Sequence, residues 1–240
     1  VDERMKSERM KTELITNVSH DIKTPLTSII NYVDLLKKEE ADTENETVKQ
    51  YLGILDRQST RLKKLIEDLV EASKASTGNL SVELAPCEIG ILLEQTVGEY
   101  AERLEASDLT PILTLPETPV YIYADGRRMW RVFDNLMSNI CKYTQSGTRV
   151  YLDLAVIGSR VVITFKNISK ERLSMPGEEL TERFVRGDSS RNTEGSGLGL
   201  SIAQSLTELQ GGRLMITVDG DLFKAMISFD VYRGQDGAAE

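Results

Sequence analysis

Apolar residues at Ile15, Val18, Ile22, Leu26, Ile29, Val33 and Leu36 recur in steps of three and four, the spacing of one buried stripe on an α-helix. The pattern predicts a helix over about residues 1–38. Residues 39–46 are polar and acidic and lack that spacing. A second stripe, Leu52, Leu55, Ser59, Leu62, Ile66 and Leu69, alternates steps of three and four and predicts a helix over about 47–74. Two such helices with a short connection make an antiparallel hairpin. A hairpin alone cannot bury two apolar stripes. A two-fold dimer that completes a four-helix bundle is the simplest remedy, and packing on the downstream part of the chain is the alternative.

The pattern then changes. Residues 76–79 are polar, contain Gly78 and predict a linker between domains at 1–76 and 77–240. Residues 81–84 look extended, and 89–104 look helical. Short strands are expected at 111–115 and 120–123, split by Pro116 and Pro119. Asp125 is placed to cap a helix running to about Thr144. Residues 148–156 alternate apolar and polar, Gly158-Ser159 turns, and 161–165 returns. Residues from about 168 to 196 are polar and mostly irregular, and a loop of that length in a compact domain is usually functional or mobile. A helix over 198–209 and a hairpin of 213–218 with 224–231 around Gly220-Asp221 follow, then a frayed tail at 234–240. The second domain is α+β, with helices over one face of a sheet.

Composition narrows the class. The 240 residues suffice for one large domain or two small ones, and 40% hydrophobic with 28% charged residues is ordinary for a soluble protein. A net charge of -9 argues against nucleic acid as a direct partner, because phosphate binding needs a basic surface. Cys87 and Cys141 have no metal-ligand spacing, which favours a reducing compartment. No apolar run approaches the roughly 20 residues needed to cross a bilayer, and no signal peptide is visible. The chain opens in mid-helix without a capping signal or initiator Met, as expected of a fragment whose upstream part has been removed.

Three stretches carry candidate chemistry. The first is SHDIKTPLT at residues 19–27, with His20, the only histidine. His20 lies off the apolar stripe, among Thr16, Lys23 and Thr24, and Asp21 sits beside it. Pro25 removes a backbone donor one turn later and bends the helix. An exposed imidazole next to a carboxylate and a bend points to a site; a surface histidine beside a tolerated proline is the plainer alternative. In the second, Asn135 and Asn139 stand one helical turn apart, and Lys142 and Tyr143 continue the same face. Asn is a poor mid-helix residue, so two on one face need a reason. An Asn carbonyl suits Mg²⁺ that bridges phosphates, Lys142 adds a point charge and Tyr143 a ring for a base. A solvated polar face is the alternative. The third is GSGLGLS at 195–201, where glycines allow close backbone approach just before a helix whose free amides suit phosphate. Arg183, Arg186 and Arg191 lie upstream in the long loop, where ordinary solvated surface is an equal alternative.

Together and in this order, these pieces resemble a bacterial sensor histidine kinase. SHDIKTPLT is similar to the phosphoacceptor box, NLMSNICKY at 135–143 to the N box, LTERFVRGD at 180–188 to the F box, and GSGLGLS to the second glycine box. The likeness spans about residues 10–230. It implies a dimeric helical hairpin, a four-helix bundle as dimer, followed by the α/β two-layer sandwich ATP-binding domain shared with gyrase-type ATPases. It implies His20 as the phosphorylated nucleophile, Asp21 as the residue that orients the imidazole and takes its proton, and Thr24 as the group that positions water for the reverse phosphatase reaction. Neutral imidazole is available near neutral pH, given a reference pKa of about 6.5. The same likeness implies Asn139 on Mg²⁺, Asn135 and Lys142 on phosphates, Tyr143 near the adenine and Arg186 at the γ-phosphate. Gly195, Gly197, Leu198 and Gly199 would form the lid's hinge and phosphate loop.

One box departs from the family pattern of Asp-x-Gly-x-Gly, whose Asp binds the adenine amino group. This chain has Lys166-Asn167-Ile168-Ser169-Lys170 after a strand expected to end near Phe165, with Asn167 where the Asp is expected and no glycines. An Asn carbonyl still accepts from an exocyclic amine, but without the charge. The resulting expectation is ATP–Mg²⁺-dependent autophosphorylation of His20 and transfer to an aspartate on a response-regulator receiver domain, by the cytoplasmic domain of a cell-membrane protein anchored through removed upstream segments. A signalling scaffold or phosphatase-biased module with a degenerate ATP site is the rival. A plain gyrase-type ATPase leaves the His20 hairpin unexplained.

Overall fold

The computed structural model describes residues 22, 25–36, 46–76, 80–173, 180 and 197–233. The chain divides into two compact units, Val1–Ser73 and Lys74–Glu240.

In the first unit, residues 25–36 form helix α1 and Glu46–Ser76 forms α2. The rings of Tyr32 and Tyr51 meet with centroids 5.4 Å apart. Further along, Ile29 shares an apolar depression with Ser59, Leu62 and Ile66. An earlier residue of α1 thus faces later residues of α2, so the helices run antiparallel, as their stripes require. Val48 and Leu65 are buried, yet Leu26, Ile30, Val33, Leu52, Ile66 and Val70 stay 37–52% exposed. The hairpin leaves much of both stripes uncovered, consistent with amphipathic helices that lack a partner layer.

The second unit is built on a five-stranded sheet. Its strands are β2 (Leu109–Thr114), β4 (Thr148–Ile157), β5 (Arg160–Ile168), β6 (Arg213–Asp219) and β7 (Leu222–Asp230), in the order β2-β4-β5-β7-β6. The β2–β4 pair is parallel and the others are antiparallel. A separate pair joins β1 (Ala85–Glu88) to β3 (Tyr121–Ala124), antiparallel. Alternation along each strand sends Val150, Leu152, Leu154, Val161, Ile163, Phe165, Ala225 and Ile227 to one face, where all are buried. Helices cover that face: α3 (Ile89–Glu99), α5 (Gly126–Tyr143) and α6 (Gly199–Leu209), with α4 (Ala101–Ala106) beside β2. Phe133 of α5 meets Phe165 of β5 at 5.6 Å between ring centroids, in the middle of this layer. Burying each such side chain contributes about 1.5–3 kcal/mol.

Three local expectations are corrected. The helix expected over 89–104 is divided at Tyr100 (φ −93°, ψ 0°), whose hydroxyl donates to Asp134 Oδ1 of α5 at 2.5 Å and to the Asp134 carbonyl at 3.1 Å. The strand expected to end near Phe165 continues to Ile168, because Lys166, Asn167 and Ile168 find ladder partners in Lys224, Phe223 and Leu222. The extended stretch expected at 81–84 enters a strand only at Ala85, where Ala124 pairs with it.

Candidate functional site

Helix α5 positions most of the described candidates, and its start is firmly built. Asp125 accepts from the Arg127 amide at 3.0 Å and the Arg128 amide at 3.3 Å, the two donors an N-cap should satisfy. Its other oxygen accepts from the Glu83 amide at 3.0 Å, and its own amide donates to Gln210 Oε1 at 2.8 Å. Burial pushes the Asp125 carboxyl up, but the amides of Glu83, Arg128 and Arg127 and the Arg127 charge outweigh it and hold the group below the usual carboxylate range. On the other side of the helix, Arg131 pairs with Asp134 at 3.0 Å. Burial, then the hydrogen bond to Asp134, pushes the Tyr100 hydroxyl up, so it stays a donor to that carboxylate across the physiological range.

Asn135 and Asn139 follow on one face of α5. Asn135 is 6% exposed, and its Nδ2 donates back to the Arg131 carbonyl at 3.0 Å. That bond turns the Oδ1 outward. A Cβ placed on Gly199 would lie 3.4 Å from Asn135 Oδ1 and 3.8 Å from Asn139 Oδ1. Two amide oxygens therefore converge on the first residue of α6, where a Cβ would sit in van der Waals contact with both. Leu198 precedes it, buried, and offers no side-chain cap to α6. Gly197 takes φ +68°, a left-handed conformation that favours glycine.

Lys142 and Tyr143 lie at the far end of α5, half-buried. Here the helix is stitched to β5 and its extension. The Lys170 amide donates to the Tyr143 carbonyl at 2.8 Å, Lys170 Nζ to the Lys142 carbonyl at 3.0 Å, and the Gln145 amide to the Ile168 carbonyl at 2.8 Å. Thr144 and Ser169 form an antiparallel bridge. Asn167 sits two residues before Ser169, inside β5, and is 4% exposed, with Oδ1 buried and without a hydrogen-bond partner among the described residues. Thr144 is 1% exposed, and its Oγ1 is likewise buried and unpartnered. Thr144 was not among the sequence candidates; a threonine ending a helix carries no signal that its hydroxyl will be orphaned.

His20, Asp21, Thr24, Arg183, Arg186, Arg191 and Gly195 lie outside the described residues. The described set brings Asn135, Asn139, Gly199 and Leu198 together at one end of the α5–α6 contact, and Lys142, Tyr143 and Asn167 at the neighbouring end of β5. The donor set fits a nucleotide with its metal. Amide oxygens are hard ligands suited to a Mg²⁺ that keeps water and phosphate oxygens, and an orphaned acceptor in a buried strand suits a base edge. Among the described residues no cluster of three His, Cys, Asp or Glu side chains offers an all-protein metal cage.

Known proteins resemble this chain in sequence and in fold. Residues 10–78 match the family model of the His Kinase A (phospho-acceptor) domain, and residues 124–231 match that of the histidine kinase-, DNA gyrase B-, and HSP90-like ATPases. The chain is 27% identical to the sensor histidine kinase YcbM of Bacillus subtilis (strain 168) over 213 residues, covering 88% of this chain and 68% of that protein. It is 28% identical to the sensor protein kinase WalK of Staphylococcus aureus over 218 residues, covering 89% of this chain and 52% of that protein. The chain thus spans about half to two thirds of these curated relatives. The histidine kinase ThkA, solved in complex with the response regulator protein TrrA, has a similar fold, with a TM-score of 0.66 at 20% identity, covering 96% of this chain and 65% of that one. With both family models matched in order, and the α5–α6 site lying in the segment that matches the second, the chain belongs to the sensor histidine kinases as their catalytic core, a phosphoacceptor domain followed by an ATPase domain.

Proposed function

We propose that this core, as a homodimer, phosphorylates His20 from ATP and passes the phosphoryl group to an aspartate on a response-regulator receiver domain, with the phosphoacceptor domain at 1–76 and the ATP-binding domain at 77–240. The observation that carries it is the convergence of the Asn135 and Asn139 amide oxygens on Gly199, at the start of α6. A neutral imidazole nitrogen of His20 attacks the γ-phosphorus. A phosphorus–nitrogen bond forms, the bond from γ-phosphorus to the β,γ-bridging oxygen breaks, and ADP leaves with that electron pair. Asp21 orients the ring and takes the proton from its other nitrogen. Asn139 would hold Mg²⁺, which neutralises phosphate charge when bound. Asn135, Lys142 and Arg186 bind phosphate oxygens, Tyr143 and Asn167 take the base, and Gly195, Gly197, Leu198 and Gly199 close the phosphate end. Thr24 positions the water that dephosphorylates the receiver in the reverse activity.

The uncovered stripes of α1 and α2 support the dimer, since a four-helix bundle would bury them. The response regulator is supported by the complex of ThkA with TrrA. None of the described helices is long and apolar enough to cross a membrane.

The test is incubation with γ-labelled ATP and Mg²⁺, followed by acid and base treatment. Acid-labile, base-stable label that disappears in His20→Ala, which has no other histidine, and falls at least about a hundredfold in Asn139→Ala with the fold intact, is the expected result. A folded dimer that takes no label refutes the kinase. It favours instead the phosphatase-biased module, for which the replacement of the glycine box by the strand ending at Ile168 is the supporting feature.

A further inference from the structure

Two buried oxygens in the second unit have no hydrogen-bond partner among the described residues, and they belong to adjoining backbone segments. Asn167 Oδ1 and Thr144 Oγ1 are both orphaned. Thr144 bridges Ser169, so Thr144 and Asn167 are diagonal neighbours on one face of that pairing, about 7–8 Å apart at Cα. Their side chains point to the same side, because residues two apart on a strand share a face. No hydrogen bond of either side chain is made among the described residues, so the Asn167 amide is not locked in one orientation. Leaving such groups unmet destabilises the fold, and a ligand's polar edge removes that cost.

Resting on the nucleotide reading above, we propose that Asn167 and Thr144 form one neutral reader of the purine six-position that accepts both 6-amino and 6-oxo bases. A carboxylate in place of Asn167 could only accept; it would hold a 6-amino group and repel a 6-oxo group. The amide carries an acceptor and a donor on one plane. In one orientation Oδ1 accepts from the 6-amino group while Nδ2 donates to N1. Turned over, Nδ2 donates to a 6-oxo group while Oδ1 accepts from N1–H. The Thr144 hydroxyl also serves as donor or acceptor, so it follows the amide in either state. Neither side chain is charged, so no strong charge-assisted bond favours one base.

Competition against a fluorescent ATP analogue, with the whole chain and Mg²⁺, tests this. ATP and ITP are the competitors, since hypoxanthine differs from adenine only at the six-position and N1. The expected result is an ITP/ATP ratio of inhibition constants within about tenfold for the wild type. Asn167→Asp should raise that ratio at least about tenfold, and Thr144→Val should weaken both nucleotides without restoring discrimination. A wild-type ratio above about a hundredfold, or a ratio that Asn167→Asp leaves unchanged while ATP still binds, overturns the inference and leaves the nucleotide reading standing. Failure of analogue, ATP and ITP to bind the folded protein overturns both.

Discussion

Replacing Asp125 with alanine removes the acceptor of three backbone amides at the point from which α5 launches its functional face. The Arg127 and Arg128 amides lie 3.0 and 3.3 Å from one carboxylate oxygen, and the Glu83 amide lies 3.0 Å from the other. Loss of an N-cap costs about 1 kcal/mol, and a partly buried amide left without its acceptor adds about 1–2 kcal/mol. The total is about 2–3 kcal/mol. A domain of this size loses about 2–4 °C of Tm per kcal/mol, so Asp125→Ala should melt about 4–12 °C lower by differential scanning calorimetry. An asparagine side chain keeps a capping oxygen, so Asp125→Asn should retain most of the stability at neutral pH. The folded carboxyl lies below its usual range, which means that the charged form stabilises the fold. That contribution is present above the unfolded pKa of about 3.9 and is lost as pH falls through the lower folded value. The gap between wild type and Asp125→Asn should therefore close below about pH 4. A loss under about 2 °C for the alanine variant, or a gap that widens with acid, would refute the account of Asp125 as a charged cap.

Two glycines make separate predictions. Gly197 holds φ +68°, so in Gly197→Ala the free protein should relax away from this conformation, and restoring it for the ligand, at about 1–2 kcal/mol, should weaken ATP–Mg²⁺ binding about five- to thirtyfold by calorimetry, with little change in melting. A Cβ on Gly212 would overlap the Phe229 ring, standing 2.6 Å from its Cε1, so Gly212→Ala should destabilise the second unit by about 1–3 kcal/mol in urea, with partial rescue by Phe229→Leu.

Much of the second unit was legible in the sequence because backbone geometry writes itself locally. The alternation from Thr148 onward, the turn at Gly158-Ser159 and the cap at Asp125 each depend on a few adjacent residues. Where the fold departs from the local pattern, a partner distant in the chain is present. Nothing in residues 89–104 signals that Tyr100, where the helix divides, will find Asp134, 34 positions on. Lys166 to Ile168 looks like the start of a loop until β7 supplies its ladder.

The site divides the same way. The sequence by itself determined which chemistry is available: a unique His20 beside Asp21, two amides one turn apart at Asn135 and Asn139, glycines before a helix, and an amide where a carboxylate is expected. Only the tertiary structure decided where those groups meet. Helix period puts Asn135 and Asn139 on one face, but packing of α5 against α6 aims their oxygens at Gly199, far along the chain. Sheet pairing likewise buries Asn167 and Thr144 together and leaves both oxygens without a partner. Periodicity follows from the rise and twist of a single element, whereas burial and orphaned polar atoms depend on what every other element places opposite, and that information is not local.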